Sequence, residues 1–143
     1  CHLAGACPFE VLDITPWAEA TFRYFVRHPY AQRLPRKFKI NFSGCATDCG
    51  QAMFNDVGVV AVSRTTDDGA VERGFRVFVA GGLGATPHPA LALEEFTARE
   101  DLLPTLEAVL RELAKGSDAE VAKAATALLS STEPARSVEQ KTN

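Results

Sequence analysis

Residues 37–54 read KFKINFSGCATDCGQAMF, an alternating pattern followed by two closely spaced cysteines. Its first seven residues alternate, with an apolar set of Phe38, Ile40 and Phe42 and a polar set of Lys37, Lys39 and Asn41. A period of two residues predicts a half-buried strand over 37–43. Gly44 ends the alternation. Residues 45–54 are then predicted to form a short helix that opens at the two cysteines, where amide N–H groups would favour negative charge on the sulfur of Cys49.

Further elements are predicted on both sides of this stretch. Thr15 followed by Pro16 is typical of a helix start, and the helix should end before Pro29. Strands are predicted at 57–63 and at 75–80, and the turn residues between them indicate a hairpin. The predicted order from the first helix to this hairpin is therefore helix, strand, short helix and two antiparallel strands.

The C-terminal third of the chain is predicted to be helical. Leucines recur at helical spacing over 99–114, and Gly116 ends that pattern. An Ala-rich stretch at 118–130 predicts a further helix, and the polar residues after Pro134 predict a frayed tail. Taken together, the elements indicate an α+β fold, in which helices cover one side of a small, mostly antiparallel sheet.

Composition restricts the classes of function. The chain has 143 residues and 46% hydrophobic residues, which suits one globular domain with a core. Fifteen basic against 18 acidic residues give a net charge of −3, so no nucleic-acid partner is expected. No apolar run approaches the roughly 20 residues that a membrane span needs, and no export leader is visible, so no membrane association and a cytoplasmic location are expected. Because the chain opens on Cys rather than Met, we expect a fragment with a missing upstream segment.

Four cysteines are the strongest chemical signal in the sequence. They form a C-x5-C pair, Cys1 and Cys7, and a C-x3-C pair, Cys45 and Cys49. A disulfide framework is typical of small exported domains with poor cores, which this chain does not resemble. The first pair is wider than the tight pairs of a structural zinc site, whereas four thiolates suit a [4Fe–4S] cluster. Spacing alone leaves a cluster, zinc and unliganded thiols open.

The cysteine pattern resembles that of the sirohaem-containing sulfite and nitrite reductases. CHLAGACP at 1–8 and SGCATDCGQAM at 43–53 stand where this family has its cluster ligands. FNDVGVVAV at 54–62 and FRVFVAGGLG at 75–84 are similar to a strand of the family and its cofactor-facing glycine loop. The resemblance extends from Cys1 to about residue 113, and it implies the fold of the nitrite/sulfite reductase 4Fe–4S domain.

This resemblance implies a specific set of cofactors and reactants. All four cysteines would hold one [4Fe–4S] cluster, and Cys49 would also bridge to the iron of sirohaem. The substrate would be sulfite or nitrite, reduced by six electrons that come from a donor such as ferredoxin. The cofactors would carry the redox chemistry, and the protein would ligate them, orient them and supply protons.

The resemblance also implies roles for residues outside the cysteine pairs. The segment LPRKFK at 34–39 is similar to one that supplies two substrate-facing lysines, here Lys37 and Lys39. In some members this segment and the cysteines belong to different halves of the enzyme, so these lysines would face either this chain's own cofactor or another half's. The residues expected to contact the cofactor are Arg36, Asn41, Gly81, Gly82 and Gly84. The plainer alternatives are a solvent-facing edge strand for the lysines and a tight turn for the glycines.

The resemblance covers only part of a reductase. We expect residues 1–115 to be a cluster- and sirohaem-binding domain, truncated at its N-terminus, and residues 116–143 to be a helical extension with a polar tail. The second half of the enzyme would be missing, so the chain should not turn over alone. The alternatives are a non-catalytic structural zinc domain and a redox module that holds a cluster without sirohaem.

Overall fold

A computed structural model describes residues 1–34 and 37–115 of the chain. Two helices and four strands make up this part, in the order α1 (Thr15–Phe25), β1 (Ile40–Ser43), β2 (Val57–Thr65), β3 (Val71–Val79), β4 (Leu91–Thr97) and α2 (Leu102–Leu113). Two short 3₁₀ helices lie at Ala31–Arg33 and Ala52–Phe54. The predicted Ala-rich helix at 118–130 and the polar tail lie outside the described residues.

The four strands form one mixed sheet in the order β1-β2-β3-β4. β1 runs parallel to β2, with Ile40 opposite Val57, whereas β2 with β3 and β3 with β4 are antiparallel. The hairpin of β2 and β3 is continuous from Val57 opposite Val79 to Thr65 opposite Val71. This α+β architecture with a mostly antiparallel sheet confirms the fold class predicted from the sequence.

One face of the sheet carries the main core. Alternate residues of β2 and β3 point to this face, where they meet buried leucines of α2 and the end of α1. The fully enclosed side chains of this core include Val57, Val59, Phe75, Val77, Leu102 and Leu106. On α1, Trp17 packs edge-on against Phe75 with 5.5 Å between ring centroids. Burial of this apolar surface fixes the sheet, and the sheet in turn fixes the end of β1.

Two sequence predictions near β1 are wrong in extent or type. The strand begins at Ile40 rather than at residue 37, because β2 begins at Val57 and the amide of Lys39 donates to the Asp56 carboxylate instead of to a strand. The predicted helix over 45–54 is limited to the 3₁₀ turn at Ala52–Phe54. Left-handed backbone at Asp48 (φ 53°) and Gln51 (φ 56°) interrupts it. Cys49 therefore does not lie at the start of an α-helix.

The other differences are smaller. The first helix ends at Phe25, before Pro29 as predicted, and the second spans Leu102–Leu113 within the predicted range. β4 was not predicted, because its residues, LALEEFT, do not alternate cleanly. Across residues 1–34 and 37–115, none of the helices has both the length and the apolar character needed to cross a membrane.

Candidate functional site

The two cysteine loops meet at the C-terminal end of β1. The backbone nitrogen of Cys1 donates to the carbonyl of Phe42 at 2.7 Å. The amide of Val11 donates to the carbonyl of Gly44 at 2.8 Å. These two hydrogen bonds attach the loop of residues 1–13 to the end of β1, one before Cys7 and one after it. Pairs that lie far apart in sequence are thereby brought to one end of the sheet.

Glycines at both ends of the second cysteine loop permit this close approach. A Cβ atom at Gly50 would lie 2.3 Å from the carbonyl oxygen of Phe42 and 2.9 Å from the backbone nitrogen of Cys1. A Cβ atom at Gly44 would lie 2.8 Å from the Glu10 carboxylate. Real Cβ atoms do not approach backbone atoms so closely, so the contacts at Gly50 require glycine, whereas the Glu10 carboxylate is the end of a flexible side chain that can shift.

The first cysteine loop has its own turn. Gly5 has a φ of +78°, and its amide donates to both oxygens of the Glu10 carboxylate, at 3.1 and 2.9 Å. Asp13 follows this turn, and the backbone amide of Thr15 donates to its carboxylate at 2.9 Å. That hydrogen bond holds the pKa of Asp13 below its ordinary value. The loop therefore ends in a fixed carboxylate just before α1 begins.

All four cysteines carry free thiols, and they differ in exposure. Cys45 is buried, Cys1 and Cys7 are half-buried, and Cys49 is exposed. A cluster shielded by protein needs enclosed ligands, whereas a ligand shared with a second cofactor needs an open side. The difference in exposure between Cys45, which is buried, and Cys49, which is exposed, suits both requirements.

Side-chain hydrogen bonds shape the loop that carries Cys45 and Cys49. The hydroxyl of Ser43 donates to the Asp48 carboxylate at 2.6 Å and accepts the amide of Gly50 at 3.1 Å. Asn41 donates its side-chain N–H to the carbonyl of Gly50 at 2.9 Å. The sequence analysis did not predict a role for Ser43 or Asp48. An aspartate in a loop is nevertheless typical of turns in which the side chain accepts hydrogen bonds from nearby backbone amides.

The glycine loop after β3 adjoins the segment that follows the second cysteine pair. The amide of Gly81 donates to the carbonyl of Asn55 at 3.1 Å, and Gly82 exchanges two backbone hydrogen bonds with His88. A Cβ atom at Gly81 would lie 2.6 Å from that Asn55 oxygen, so the packing of this chain already accounts for this glycine. Gly84 has no neighbour within 4 Å of an added Cβ atom, so its surroundings are open.

The remaining predicted site residues lie near β1. Lys37 and Lys39 are both exposed, and they precede the strand rather than lie on it. Asn41 is half-buried and its amide is engaged by Gly50, so it supports the cysteine loop. Arg36 lies outside the described residues.

The residue types at the C-terminal end of β1 are those that bind an iron–sulfur cluster. Four unbridged thiols are the donor set that a [4Fe–4S] cluster takes, one for each iron. Gly5, Gly44 and Gly50 lie close in sequence to these cysteines. Within residues 1–34 and 37–115, no three His, Cys, Asp or Glu side chains are grouped so as to hold one metal ion.

Comparison with known proteins agrees with the cysteine pattern. The family model described as the nitrite and sulphite reductase 4Fe-4S domain matches residues 1–123. An assimilatory ferredoxin-dependent nitrite reductase of Haloferax mediterranei is 37% identical over 103 residues, which are 71% of this chain and 17% of that protein. The sulfite reductase [NADPH] subunit beta of Saccharomyces cerevisiae is 34% identical over 83 residues, which are 54% of this chain and 6% of that subunit.

A solved structure shares the fold. The Mycobacterium tuberculosis NirA protein matches with a TM-score of 0.60 and 28% sequence identity, and the match covers 78% of this chain and 19% of that protein. The chain spans less than a fifth of the length of each of these three relatives.

Proposed function

The chain belongs to the family of nitrite and sulphite reductase 4Fe–4S domains, and on this premise we propose that it is the cluster- and sirohaem-binding part of an assimilatory-type sulfite or nitrite reductase. Enzymes of this family carry a [4Fe–4S] cluster and sirohaem, and the named relatives are oxidoreductases. In the proposal, Cys1, Cys7, Cys45 and Cys49 hold the cluster.

The observation that carries the proposal is the docking of the two cysteine loops. Hydrogen bonds from Cys1 to Phe42 and from Val11 to Gly44 hold residues 1–13 against the end of β1. At Gly50 the contact is so close that no side chain fits. Four thiolates around one cluster need both loops at one place, and this docking supports the proposal.

Cys49 is the ligand proposed to contact sirohaem iron as well. Its side chain is exposed, unlike that of Cys45. Backbone hydrogen bonds from Gly81 to Asn55 and from Ala90 to Met53 join the glycine loop to the segment that follows Cys49. Met53, Phe54 and Leu83 are exposed apolar side chains on these same two segments. A flat, partly apolar macrocycle with carboxylates would suit this open surface.

The substrate would be a small oxyanion, sulfite or nitrite. When bound, the cofactor pair would pass electrons from an external donor to the substrate, and the residues of this chain would bind, orient and protonate it. Lys37 and Lys39 are exposed cations that precede β1, and we propose that their ammonium groups attract the anion and stabilise negative charge on its oxygens. Arg36, Asn41, Gly81, Gly82 and Gly84 are the proposed cofactor contacts.

The proposal includes partners and a location. The chain spans 17% of the Haloferax relative, so the remainder of the reductase, with its second half, is a proposed partner. The relatives' names include both ferredoxin and NADPH as donors, and we propose a ferredoxin-type donor and a cytoplasmic location. We expect no six-electron turnover from this chain without the second half.

Anaerobic reconstitution with iron, sulfide and sirohaem tests the proposal directly. We expect about four irons and four sulfides per chain and a brown protein with charge-transfer absorbance. The control is a variant in which all four cysteines are replaced by serine, which should take up neither iron nor sulfide. One zinc per chain and no colour would support the structural-zinc alternative, and a cluster without sirohaem bands would leave a cluster-only redox module.

The bridging role of Cys49 has a separate test. Cys49→Ser should abolish magnetic coupling between haem and cluster in Mössbauer and EPR spectra of the loaded protein. Cys7→Ser is the matched control, because it removes a ligand that is proposed to bind only the cluster. Coupling that survives in Cys49→Ser would refute the assignment of this ligand.

A further inference from the structure

We infer that Asp48, tied to Ser43, is the positioning residue that holds Cys45 and Cys49 in ligating geometry, an inference that rests on the proposed function. Asp48 lies directly before Cys49 and three residues after Cys45. No part of the family resemblance assigns it a role.

Three donors converge on the Asp48 carboxylate. The buried hydroxyl of Ser43 donates to Oδ1 at 2.6 Å, the amide of Ala52 donates to Oδ1 at 2.7 Å, and the amide of Met53 donates to Oδ2 at 3.0 Å. These donors lie before and after the cysteine pair. The carboxylate therefore closes the loop across its base and connects β1 with the 3₁₀ turn at Ala52–Phe54.

The backbone of the loop follows from this closure. The amide of Asp48 donates to the carbonyl of Cys45 at 3.2 Å, and the amide of Gln51 donates to the carbonyl of Asp48 at 2.9 Å. Asp48 itself has a φ of 53°, a conformation that costs most residues free energy but that Asp tolerates. Side-chain capture of amides that a helix would otherwise use explains why no α-helix forms here.

Ser43 transmits the constraint to the other cysteine loop. Its hydroxyl also accepts the amide of Gly50, and an added Cβ atom at Gly50 would lie 2.7 Å from that hydroxyl and 2.9 Å from the backbone nitrogen of Cys1. Ser43 is the last residue of β1, is paired with Val60 of β2 and is 1% exposed. A rigid strand end thus supports the segment on which the first cysteine loop rests.

The geometry also limits what Asp48 does. Its carboxylate oxygens accept three hydrogen bonds from hydroxyl and amide donors, which suits a positioning role. Residues that orient metal ligands in this way change metal affinity or activity by about 10–100-fold when they are replaced. A carboxylate beside a cluster also disfavours adding an electron to that cluster, because the added charge has the same sign.

The test compares variants of the full chain after anaerobic reconstitution with ferrous iron and sulfide. Asp48→Ala should release its iron to a chelator about 10-fold faster than the parent chain, with a changed EPR spectrum of the reduced cluster. Asp48→Gly relieves any left-handed strain but should behave like Asp48→Ala. Asp48→Asn keeps one acceptor oxygen and should be intermediate. Ser43→Ala, which leaves Asp48 in place, should also release iron faster.

Asp68 provides a matched control in the β2–β3 turn. Its carboxylate accepts the Thr66 hydroxyl and the Ala70 amide, as Asp48 does with Ser43 and Ala52, but its turn follows Thr65, five residues along β2 from the residue that pairs with Ser43. Asp68→Ala should leave iron release and the EPR spectrum unchanged. Far-UV circular dichroism of each apo variant identifies any that fails to fold.

The outcomes separate this inference from the proposed function. If the parent chain takes up no cluster, the proposed function fails. If the parent takes up a cluster, but folded Asp48→Ala and Ser43→Ala hold it with parental release rates and EPR spectra, the inference is overturned. Rescue by glycine at position 48 would also overturn it, because backbone strain and not the carboxylate would then account for the effect.

Discussion

The core behind the sheet and the paired cysteine loops at the end of β1 are held by different interactions. The core consists of enclosed apolar side chains from β2, β3 and α2, among them Phe75 and Leu106. The cysteine loops are held by hydrogen bonds from Cys1 to Phe42 and from Ser43 to Asp48, and by glycines that allow close backbone approach.

This difference separates stability from cofactor binding. Apolar burial is large and non-directional, so one core residue stabilises the whole domain. A net hydrogen bond contributes only about 0.5–1.5 kcal/mol, but it fixes direction. We therefore expect core substitutions to unfold the domain, and loop substitutions to impair cluster binding in a domain that stays folded.

The largest expected effect is on the core. Leu106→Ala should lower the free energy of unfolding by about 2–5 kcal/mol, because Leu106 is fully enclosed and its loss leaves a cavity. Urea denaturation followed by circular dichroism measures the change. Leu103→Ala on the same helix is the control, because Leu103 is only half-buried. Equal losses for the two variants would contradict the assignment of Leu106 to the core.

Gly50→Ala tests the docking of the two cysteine loops. The added methyl group would lie 2.3 Å from the Phe42 oxygen and 2.9 Å from the Cys1 nitrogen, so the segment at Gly50 must move away from both β1 and the first cysteine loop. We expect most of the reconstituted iron to be lost, with a smaller cost in unfolding free energy of about 1–3 kcal/mol. Gly84→Ala, where nothing lies within 4 Å, is the control for stability. Full iron content in Gly50→Ala would show that close docking is not required.

The sequence predicted the elements that form the apolar core better than it predicted the hydrogen-bonded geometry of the cysteine loops. Apolar periodicity predicted α2, because burial imposes a repeating pattern on neighbouring residues, whereas Thr15 and Pro16 predicted the start of α1 and turn residues predicted the hairpin of β2 and β3. The cysteine spacing and the family resemblance predicted the 4Fe–4S domain, and the family match to residues 1–123 confirms it. Both kinds of signal are present in short stretches of the chain.

The loop that carries Cys45 and Cys49 was predicted incorrectly for a physical reason. A local pattern favoured a helix over 45–54, but the carboxylate of Asp48 takes the amides of Ala52 and Met53 and the hydroxyl of Ser43. The bond to Ser43 depends on where β1 ends, which no local pattern shows. The ligand roles of the cysteines and the roles of Lys37 and Lys39 stay predictions.

Glycine can be required for its backbone conformation or for close packing, and the cysteine loops contain both cases. Gly69 represents the first case alone. It lies in the β2–β3 turn with a φ of +81°, but an added Cβ atom would meet nothing within 4 Å. Gly69→Ala should therefore lower the free energy of unfolding by roughly 1 kcal/mol, through backbone conformation alone, and leave iron content unchanged. Thermal unfolding and iron analysis of the same sample measure both quantities. A loss of iron in this variant would mean that general destabilisation, and not loop crowding, controls cluster binding.

The smallest expected effect concerns a polar contact between the two helices. The hydroxyl of Tyr24 on α1 donates to the Glu107 carboxylate on α2 at 2.7 Å, and Arg111 pairs with the same carboxylate at 3.0 Å. The hydrogen bond from Tyr24, and then that from Arg111, lower the pKa of Glu107 from its ordinary value. A lowered pKa in the folded state means that the contact stabilises the domain above the ordinary carboxyl pKa and that this contribution is lost as the pH falls through the lowered pKa.

Glu107→Gln should therefore lower the melting temperature slightly at about pH 7, and the difference from the parent should vanish in acid, where the parent carboxyl is also neutral. Glu112→Gln on the same helix is the control, because its carboxylate pairs with the exposed Lys115 and such exposed pairs contribute little. Melting curves over a pH series measure both variants. If the difference in melting temperature between Glu107→Gln and the parent persists below the lowered pKa, the contact acts through packing rather than through charge. The two helices would then be held together, like the rest of the core, by burial alone.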